Sequence, residues 1–391
     1  MRMEFMTYST AAENFERILN IVTQKLEKAV YAGWDPFDGL NSNLFAATPL
    51  SAWPMARLAW TQAFKRMPLN LRFMALVPKT ANPVTIALAA EIKRRQGDVV
   101  GALALIERLL SMATVSGDTA FGWGYPFAWQ AKAFYVEKYE PNIIATAYAL
   151  RELSNWKQVP AVQDAILRSC AYIAQNFSRH VSGKGYYIAY VRNSDAMVHN
   201  ANLWGAHSLT IGGAMADNPA WLELAQDATQ FSLAAQRQDG SWAYGEASHH
   251  QFTDGFHTGY VLEALHRMDR VFTNPAVKAH ISSGLDYYLN NLVEADGTAK
   301  YYSNNRYPID ANAAAQAIIT LDTLQLPKEY SDIALNVMKA AVQNLWLEKR
   351  SYFAYQRSRK FINAIEYPRW TQIWLALAMQ IVIDMPVGNS Q

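Results

Sequence analysis

Five tyrosines, Tyr125, Tyr187, Tyr244, Tyr302 and Tyr355, recur at intervals of 62, 57, 58 and 53 residues. Each sits in a glycine- and aromatic-rich loop between two stretches of helical periodicity. Self-similarity at a fixed period is a fold-level signal, because each repeat is one unit that buries its apolar face against its neighbours. A period of this length fits a helix–loop–helix pair and its connection. Such pairs close into a ring or stack into an open solenoid. Long irregular loops in compact domains usually serve function, so the ring is the expected form: an all-α toroid of the (α/α)6 type with short extended segments in its loops. The loops and inner-helix starts at one end would then surround a shared cavity.

Apolar periodicity runs through the chain. In TAAENFERILNIVTQKLEKAVY, Phe15, Ile18, Ile21, Val22 and Leu26 form one stripe of an amphipathic helix. Further helices are expected near Ser51–Phe64, Pro83–Gln96 and Val99–Met112, then at about 142–155, 160–178, 200–212, 219–236, 255–269, 275–292, 310–324, 329–347 and 366–384. Strand signals are confined to pieces such as KGYYIAYV, SWAYG, AKYYS and SYFAYQ. No Pro/Ser-rich linker divides the chain. It reads as a single domain over 1–391, with degenerate helix pairs over 1–115 and regular repeats over 116–391. Hydrophobic residues make up 51% of the 391, enough for a large core.

Composition narrows the function. The formal net charge of +2 argues against a nucleic-acid-binding surface. Cys170 is the single cysteine, so neither an intramolecular disulfide nor a thiolate zinc site is available. His249, His250 and His257 match no standard zinc spacing, and no metal or organic cofactor is expected. The first residues lack the features of a signal peptide, and the run IWLALAMQIVIDM is too short to span a bilayer. A cytoplasmic protein without a membrane span is the expectation. Phosphate-loop, GxSxG and HExxH motifs are absent. AAQRQDGSW carries the Q…GxW pattern of squalene and hopene cyclases, but their DxDD and DDxxD acids are missing; Trp242 is read as shared architecture, not as terpene chemistry.

The candidate chemistry lies in the loops. Gly122–Gln130 brings together Trp123, Tyr125, Phe127 and Trp129, whose flat faces suit sugar stacking or, equally, a plug for the ring's mouth. Gln238–Leu265 is densest: Asp254 or Thr253 is placed to cap a helix, His257 follows Asp254 on nearly the same face, and Tyr244 and Glu246 stand near. An Asp/His pair at a helix start suits acid–base work, and the helix N-terminus favours the neutral imidazole. Asn200, Tyr187 and Trp242 join Trp123, Trp129 and Tyr244 as candidate substrate contacts. Arg306 and Arg369 are candidate carboxylate binders, since a guanidinium holds a carboxylate in two-pronged fashion. Tyr125, Tyr302 and Asp310 complete the catalytic set with Asp254 and His257. Thr146, Asn202, His257, Gln316 and Gln372 fall in register near the inner-helix starts, which suggests a common wet surface or a set of satisfied backbone contacts. Proton abstraction beside a uronate would use His, Tyr and Arg; paired acids such as Asp254 and Asp310 would suit hydrolysis.

The segments YAGWDPFDGLNS (31–42), KRMPLNLR (65–72), GWGYPFAWQ (122–130), QDGSWAYG (238–245) and TDGFHTGYVLEAL (253–265) resemble the VpsJ-like proteins of exopolysaccharide and capsule gene clusters. Trp34 and Phe37 stand where tyrosines are expected. The resemblance implies an α/α toroid tied to bacterial surface-polysaccharide synthesis, and makes Asp35, Asp38, Asn41, Trp123, Tyr125, Asp254 and His257 candidate positions. Asp35 and Asp38 also lie in turn dipeptides, where Asp bonds its own backbone. The resulting expectation is a hydrolase, lyase or uronate C5-epimerase acting on an oligo- or polysaccharide. The alternative is a non-catalytic glycan-binding protein that works with other polysaccharide-assembly proteins. A lipid-linked or isoprenoid substrate in an apolar cavity is a third, weaker reading.

Overall fold

The computed structural model describes residues 8–116, 120–131, 135–325 and 329–385. The first seven residues, part of the segment read for a signal peptide, lie outside it, as do 117–119 and 132–134 of the first repeat loop. The helices are α1 (Tyr8–Lys28), α2 (Asn43–Ala46), α3 (Pro54–Arg66), α4 (Pro83–Arg95), α5 (Val99–Ser111), α6 (Ile143–Leu153), α7 (Pro160–Asn176), α8 (His199–Ala216), α9 (Pro219–Leu233), α10 (Gly255–Phe272), α11 (Pro275–Leu292), α12 (Ala311–Thr323), α13 (Glu329–Leu345) and α14 (Ile373–Asp384).

The even-numbered helices from α4 to α14 form the inner wall. Each packs on the next, and α14 packs back on α4, so six inner helices close a ring. Outer helices α5, α9, α11 and α13 lie against their inner partners, α7 bridges α6 and α8, and α1 covers α14. The sequence sorts the two layers. Inner helices are buried on nearly every face: α12 is buried from Ala311 to Leu321, as a helix walled in on all sides must be. Outer α1 buries Phe15, Ile18, Val22 and Leu26 of the expected stripe, joined by Leu19, while Ile21 is half-buried. One apolar core runs around the whole ring, from Ala11 to Val382.

All six inner helices start at the same end. Asn82, Asn142, Asp254 and Asp310 cap α4, α6, α10 and α12 by accepting backbone N–H bonds in the first turn, which satisfies donors that have no partner within the helix. The last inner helix begins at Ile373, later than periodicity suggested, because Pro368–Gln372 form a π-helical turn instead. The hairpins at Ser178–Val181/Gly185–Ile188 and Trp346–Leu347/Tyr352–Phe353 fall in two of the expected extended segments. SWAYG contributes only an isolated bridge, Val198 to Gly245.

The register of polar residues is not a wet surface. Thr146 Oγ1 accepts from the Trp123 N–H at 3.0 Å. Asn202 Oδ1 accepts from Ile188 N–H at 2.8 Å and its amide donates to Ala228 O. Gln372 accepts from Phe353 N–H at 3.0 Å and donates to Phe353 O at 2.7 Å. These side chains latch the preceding loop onto the inner helix, which a buried loop backbone requires. Gln316 donates to Glu263 and Thr320. Of the five, only His257 lines the cavity.

His207 on α8 is buried against Trp204, with Nδ1 lacking a hydrogen-bond partner among the described residues. Burial, then Arg267 and Arg151, push its pKa well below the ordinary histidine range. The unfolded chain therefore binds one more proton than the folded one between about pH 6.5 and the depressed folded value. Stability contributed by this neutral imidazole is present above that unfolded value and is lost as pH falls below it, at up to about 1.4 kcal/mol per pH unit. His207→Gln removes this slope. Urea unfolding at several pH values checks it, and a variant curve parallel to wild type would contradict the assignment.

Candidate active site

The inner-helix starts and their loops enclose a cavity of about 290 Å³. Its wall is aromatic: Tyr125, Phe127 and Trp129 from the first repeat loop, Tyr190, Tyr244 and Phe252 from later loops, Tyr148, Tyr260 and Trp374 from inner helices, and Tyr301 and Tyr302 from the fourth hairpin, Lys300–Tyr302/Asn305–Asp310. Asp254, His257, Asn200, Lys65 and Arg369 supply the polar groups.

Asp254 has two tasks. Its Oδ1 accepts from the His257 N–H at 2.8 Å, which caps α10. Its Oδ2 lies 2.7 Å from His257 Nδ1. A carboxylate at that distance accepts, so Nδ1 carries the proton and Nε2 keeps its lone pair. Nε2 has no protein partner among the described residues. The imidazole stands 4.4 Å from the Tyr244 ring and 4.2 Å from Phe256. Gly255 permits the geometry, since a Cβ there would fall 2.5 Å from the carbonyl oxygen of Lys300. That close approach brings the fourth hairpin alongside, and an isolated antiparallel bridge joins Asp254 to Tyr302. Tyr302 is 37% exposed beside the dyad; partial burial, then the charge of Asp254, raises its phenol.

Lys65, near the C-terminus of α3, reaches the same cavity. Its ammonium rests 4.7 Å from the Phe37 ring centroid and has no carboxylate in contact among the described residues. Burial, then Arg66, lowers its pKa against the opposing pull of Asp310 and Asp254. Asn200 is buried with Oδ1 unpartnered among the described residues. An orphaned acceptor in a cavity wall is suited to a ligand hydroxyl.

Several expected site residues stand elsewhere. Arg306 lies outside the cavity wall and pairs with Glu294 and Asp296. Arg369 lines the cavity, but its guanidinium is taken by Asp35, with Nη2–Oδ1 at 2.8 Å and Nε–Oδ2 at 2.5 Å. Asp310 is buried, accepting from Asn312 N–H, Ala313 N–H and the Gln356 amide. Burial raises it to about 6. Trp123 and Trp242 are buried, donating to Leu109 O and Ser232 O, and Tyr187 donates to Asp195 O while packing on Phe231. None of these four lines the aromatic cavity. Tyr125 does, with its hydroxyl 3.3 Å from that of Tyr190.

Sequence reasoning passed over Lys65, Tyr190, Tyr260, Trp370 and Trp374. Lys65 stood in a quoted motif but in a segment read as degenerate. Asp35 and Asp38 do form turns, through Phe37 N–H and Asp35 N–H. Both also carry buried ion pairs, Asp35 with Arg369 and Asp38 with Arg72. A second cavity, about 580 Å³, opens at the opposite end, among the inner-helix C-termini, around Arg95, Arg267 and Asp322. There Arg95 pairs with Asp322 and Arg267 with Glu263. Among the described residues no cluster of His, Cys, Asp or Glu suits a metal ion, and no helix is long and apolar enough to cross a membrane.

No family model and no curated protein sequence matches the chain. Its fold is shared by solved structures of low identity. An unsaturated glucuronyl hydrolase specific for heparin aligns with a TM-score of 0.60 at 12% identity, over 94% of this chain and 96% of that one. A possible GH105-family member from Salmonella enterica serovar Paratyphi A aligns at 0.59 and 12%, over 98% and 95%. Cellobiose 2-epimerase from Bacillus thermoamylovorans aligns at 0.54 and 10%, over 77% and 85%. The chain is thus an α/α toroid of the form these sugar-active enzymes adopt.

Proposed function

We propose that the protein is a glycan-active enzyme whose His257–Asp254 pair performs acid–base chemistry on a sugar carrying a carboxylate. The observation that carries this reading is the 2.7 Å contact of Asp254 Oδ2 with His257 Nδ1, which leaves the Nε2 lone pair free on a ring that lines an aromatic cavity. Lys65 supports the acidic sugar: of the two cavity-lining lysine and arginine side chains among the described residues, Arg369 is neutralised by Asp35 and Lys65 is not. The six inner-helix N-termini add positive potential at the same end. The structural neighbours, which include a glucuronyl hydrolase, a polysaccharide lyase and two sugar epimerases, support a glycan substrate. The segments that resemble VpsJ-like proteins favour a precursor of a bacterial surface polysaccharide as the substrate.

In this mechanism His257 Nε2 takes the proton from the carbon bearing the carboxylate, and Asp254 holds the resulting imidazolium. The Lys65 ammonium stabilises the charge that builds on the carboxylate oxygens. Return of a proton to the opposite face gives epimerisation; departure of the neighbouring glycosidic oxygen, protonated by Tyr302, gives β-elimination. Incubation with uronate oligosaccharides in D2O separates the outcomes. Deuterium at C5 marks epimerisation, a new ultraviolet-absorbing double bond marks elimination, and new reducing ends without one mark hydrolysis. Absence of all three across saturated and unsaturated uronates, with retained glycan binding, would favour the non-catalytic alternative.

Lys65→Met is expected to raise KM for an acidic substrate by about 10- to 100-fold, the worth of one hydrogen bond to a charged group. Binding of its methyl ester should change little. Equal losses on acid and ester would show that Lys65 only shapes the cavity.

A further inference from the structure

Residues 39–82, between Asp38 and the start of the ring, contain no Asp or Glu but five cations, Arg57, Lys65, Arg66, Arg72 and Lys79. This segment also holds eight of the eighteen exposed large apolar side chains among the described residues. Trp53 is 65% exposed, Met55 75%, Phe73 78% and Met74 73%. Exposed apolar residues scattered singly are ordinary, but a concentration of this kind marks an interaction surface.

The display is built rather than loose. Ala75 and Val77 are buried against Phe64, with Trp34 and Trp60 packed around them. Ser42 Oγ donates to Ala75 O at 2.6 Å, and Asn43 N–H donates to Leu76 O at 3.4 Å, tying α2 to the turn. Leu76 sits at φ +53°, in the left-handed region, a conformation that a leucine keeps only where its surroundings impose it. The turn is thus anchored from beneath while Phe73, Met74 and Leu76 face outward. Arg66 and Lys79 are exposed in the same segment. The flanking carboxylates do not offset them, since Asp38 is buried under Arg72 and Glu91 is buried with Arg151.

We infer that this cap docks on an anionic lipid surface, with its apolar side chains among the headgroups and its cations against lipid phosphates. Exposed Trp, Phe, Leu and Met beside Lys and Arg, with no carboxylate over the whole segment, is the chemistry of an interfacial membrane contact. Helix α3 carries Lys65 into the cavity and Met55 on the cap, so docking sets the cavity close to the bilayer, where a glycan on a lipid carrier would be presented.

The test is cosedimentation of the full chain with vesicles of phosphatidylcholine alone or mixed with phosphatidylglycerol. Wild type is expected to partition onto the anionic vesicles and to release as salt rises. Trp53→Ser/Phe73→Ser/Met74→Ser is expected to weaken partition by at least about tenfold. Lys79→Ser is expected to weaken it by about fivefold. None of these residues lines the cavity, so turnover of a soluble glycan stays at the wild-type value and reports that the variants are folded. No partition at low salt overturns the inference, as does wild-type partition by both variants. A self-association abolished by the aromatic substitutions, without vesicle binding, assigns the surface to a protein contact and also overturns it.

Discussion

Asp254→Asn is expected to leave the fold intact and remove most of the turnover. The two carboxylate oxygens have separate duties: Oδ1 caps α10 through the His257 N–H, and Oδ2 holds Nδ1. Asparagine caps a helix as well as aspartate does, so stability should change by less than about 0.5 kcal/mol. The amide that replaces Oδ2 cannot accept the Nδ1 proton. It can only donate, which drives the imidazole to the tautomer with its proton on Nε2, facing the cavity. The base is then lost. On whichever uronate turns over, kcat should fall by about 10²- to 10⁴-fold. His257→Ala should give a loss of the same order, and the double variant little more, because the pair acts as one unit. Asp254→Ala gives up the cap too, at about 1 kcal/mol. If Asp254→Asn turns over like wild type, the dyad is a helix cap and nothing more.

That residue shows where sequence was informative and where it was not. The cap and the proximity of Asp254 to His257 follow from three positions of spacing on one helix. The ring was legible for a similar reason: the period repeats, and inner and outer helices differ in how many of their faces are apolar. The distribution of positive charge was not legible. Arg369 is spent on Asp35, 334 residues away, and no local pattern marks a partner so distant. Lys65 was hidden by the reverse effect. Its segment breaks the repeat, yet α3 packs beside the Trp129–Gln130 strand at the mouth. The tyrosine beat divides in the same way. Tyr125, Tyr244 and Tyr302 line the cavity, whereas Tyr187 and Tyr355 are packed in satellite clusters. Equivalent loop positions turn inward or outward according to the hairpin each loop makes.

Arg151→Met should be the most destabilising single change in the barrel, at about 3–5 kcal/mol. Past the cavity floor the inner helices enclose four carboxylates, Glu91, Glu152, Glu263 and Asp322, and four guanidiniums, Arg94, Arg95, Arg151 and Arg267. Arg151 lies between two of the acids, bonded to Glu263 at 2.8 Å and to Glu91, and all three are buried. Burial works to raise Glu91, but Arg151, with Arg95, Arg267 and Arg94, overrides it and holds the carboxyl at about 2. Glu91 therefore stays ionised across the physiological range. Removing Arg151 leaves Glu263 to Arg267 and Gln316, and Glu91 to Arg95 alone. Two carboxylates then share too little positive charge in a medium that solvates them poorly. Arg151→Met/Glu263→Gln should recover part of the loss, because the second change deletes the charge that the first uncovers. Urea unfolding of the two single variants and the double closes the cycle. Arg151 is also one turn beyond Tyr148, and its guanidinium lies 4.9 Å from that ring. Tyr148 lines the active cavity, so the single variant should also weaken glycan binding, and the double variant should restore it in step with stability. Full stability in Arg151→Met would show that the remaining arginines suffice; lost stability with unchanged glycan binding would show that the charged end of the barrel does not support the cavity.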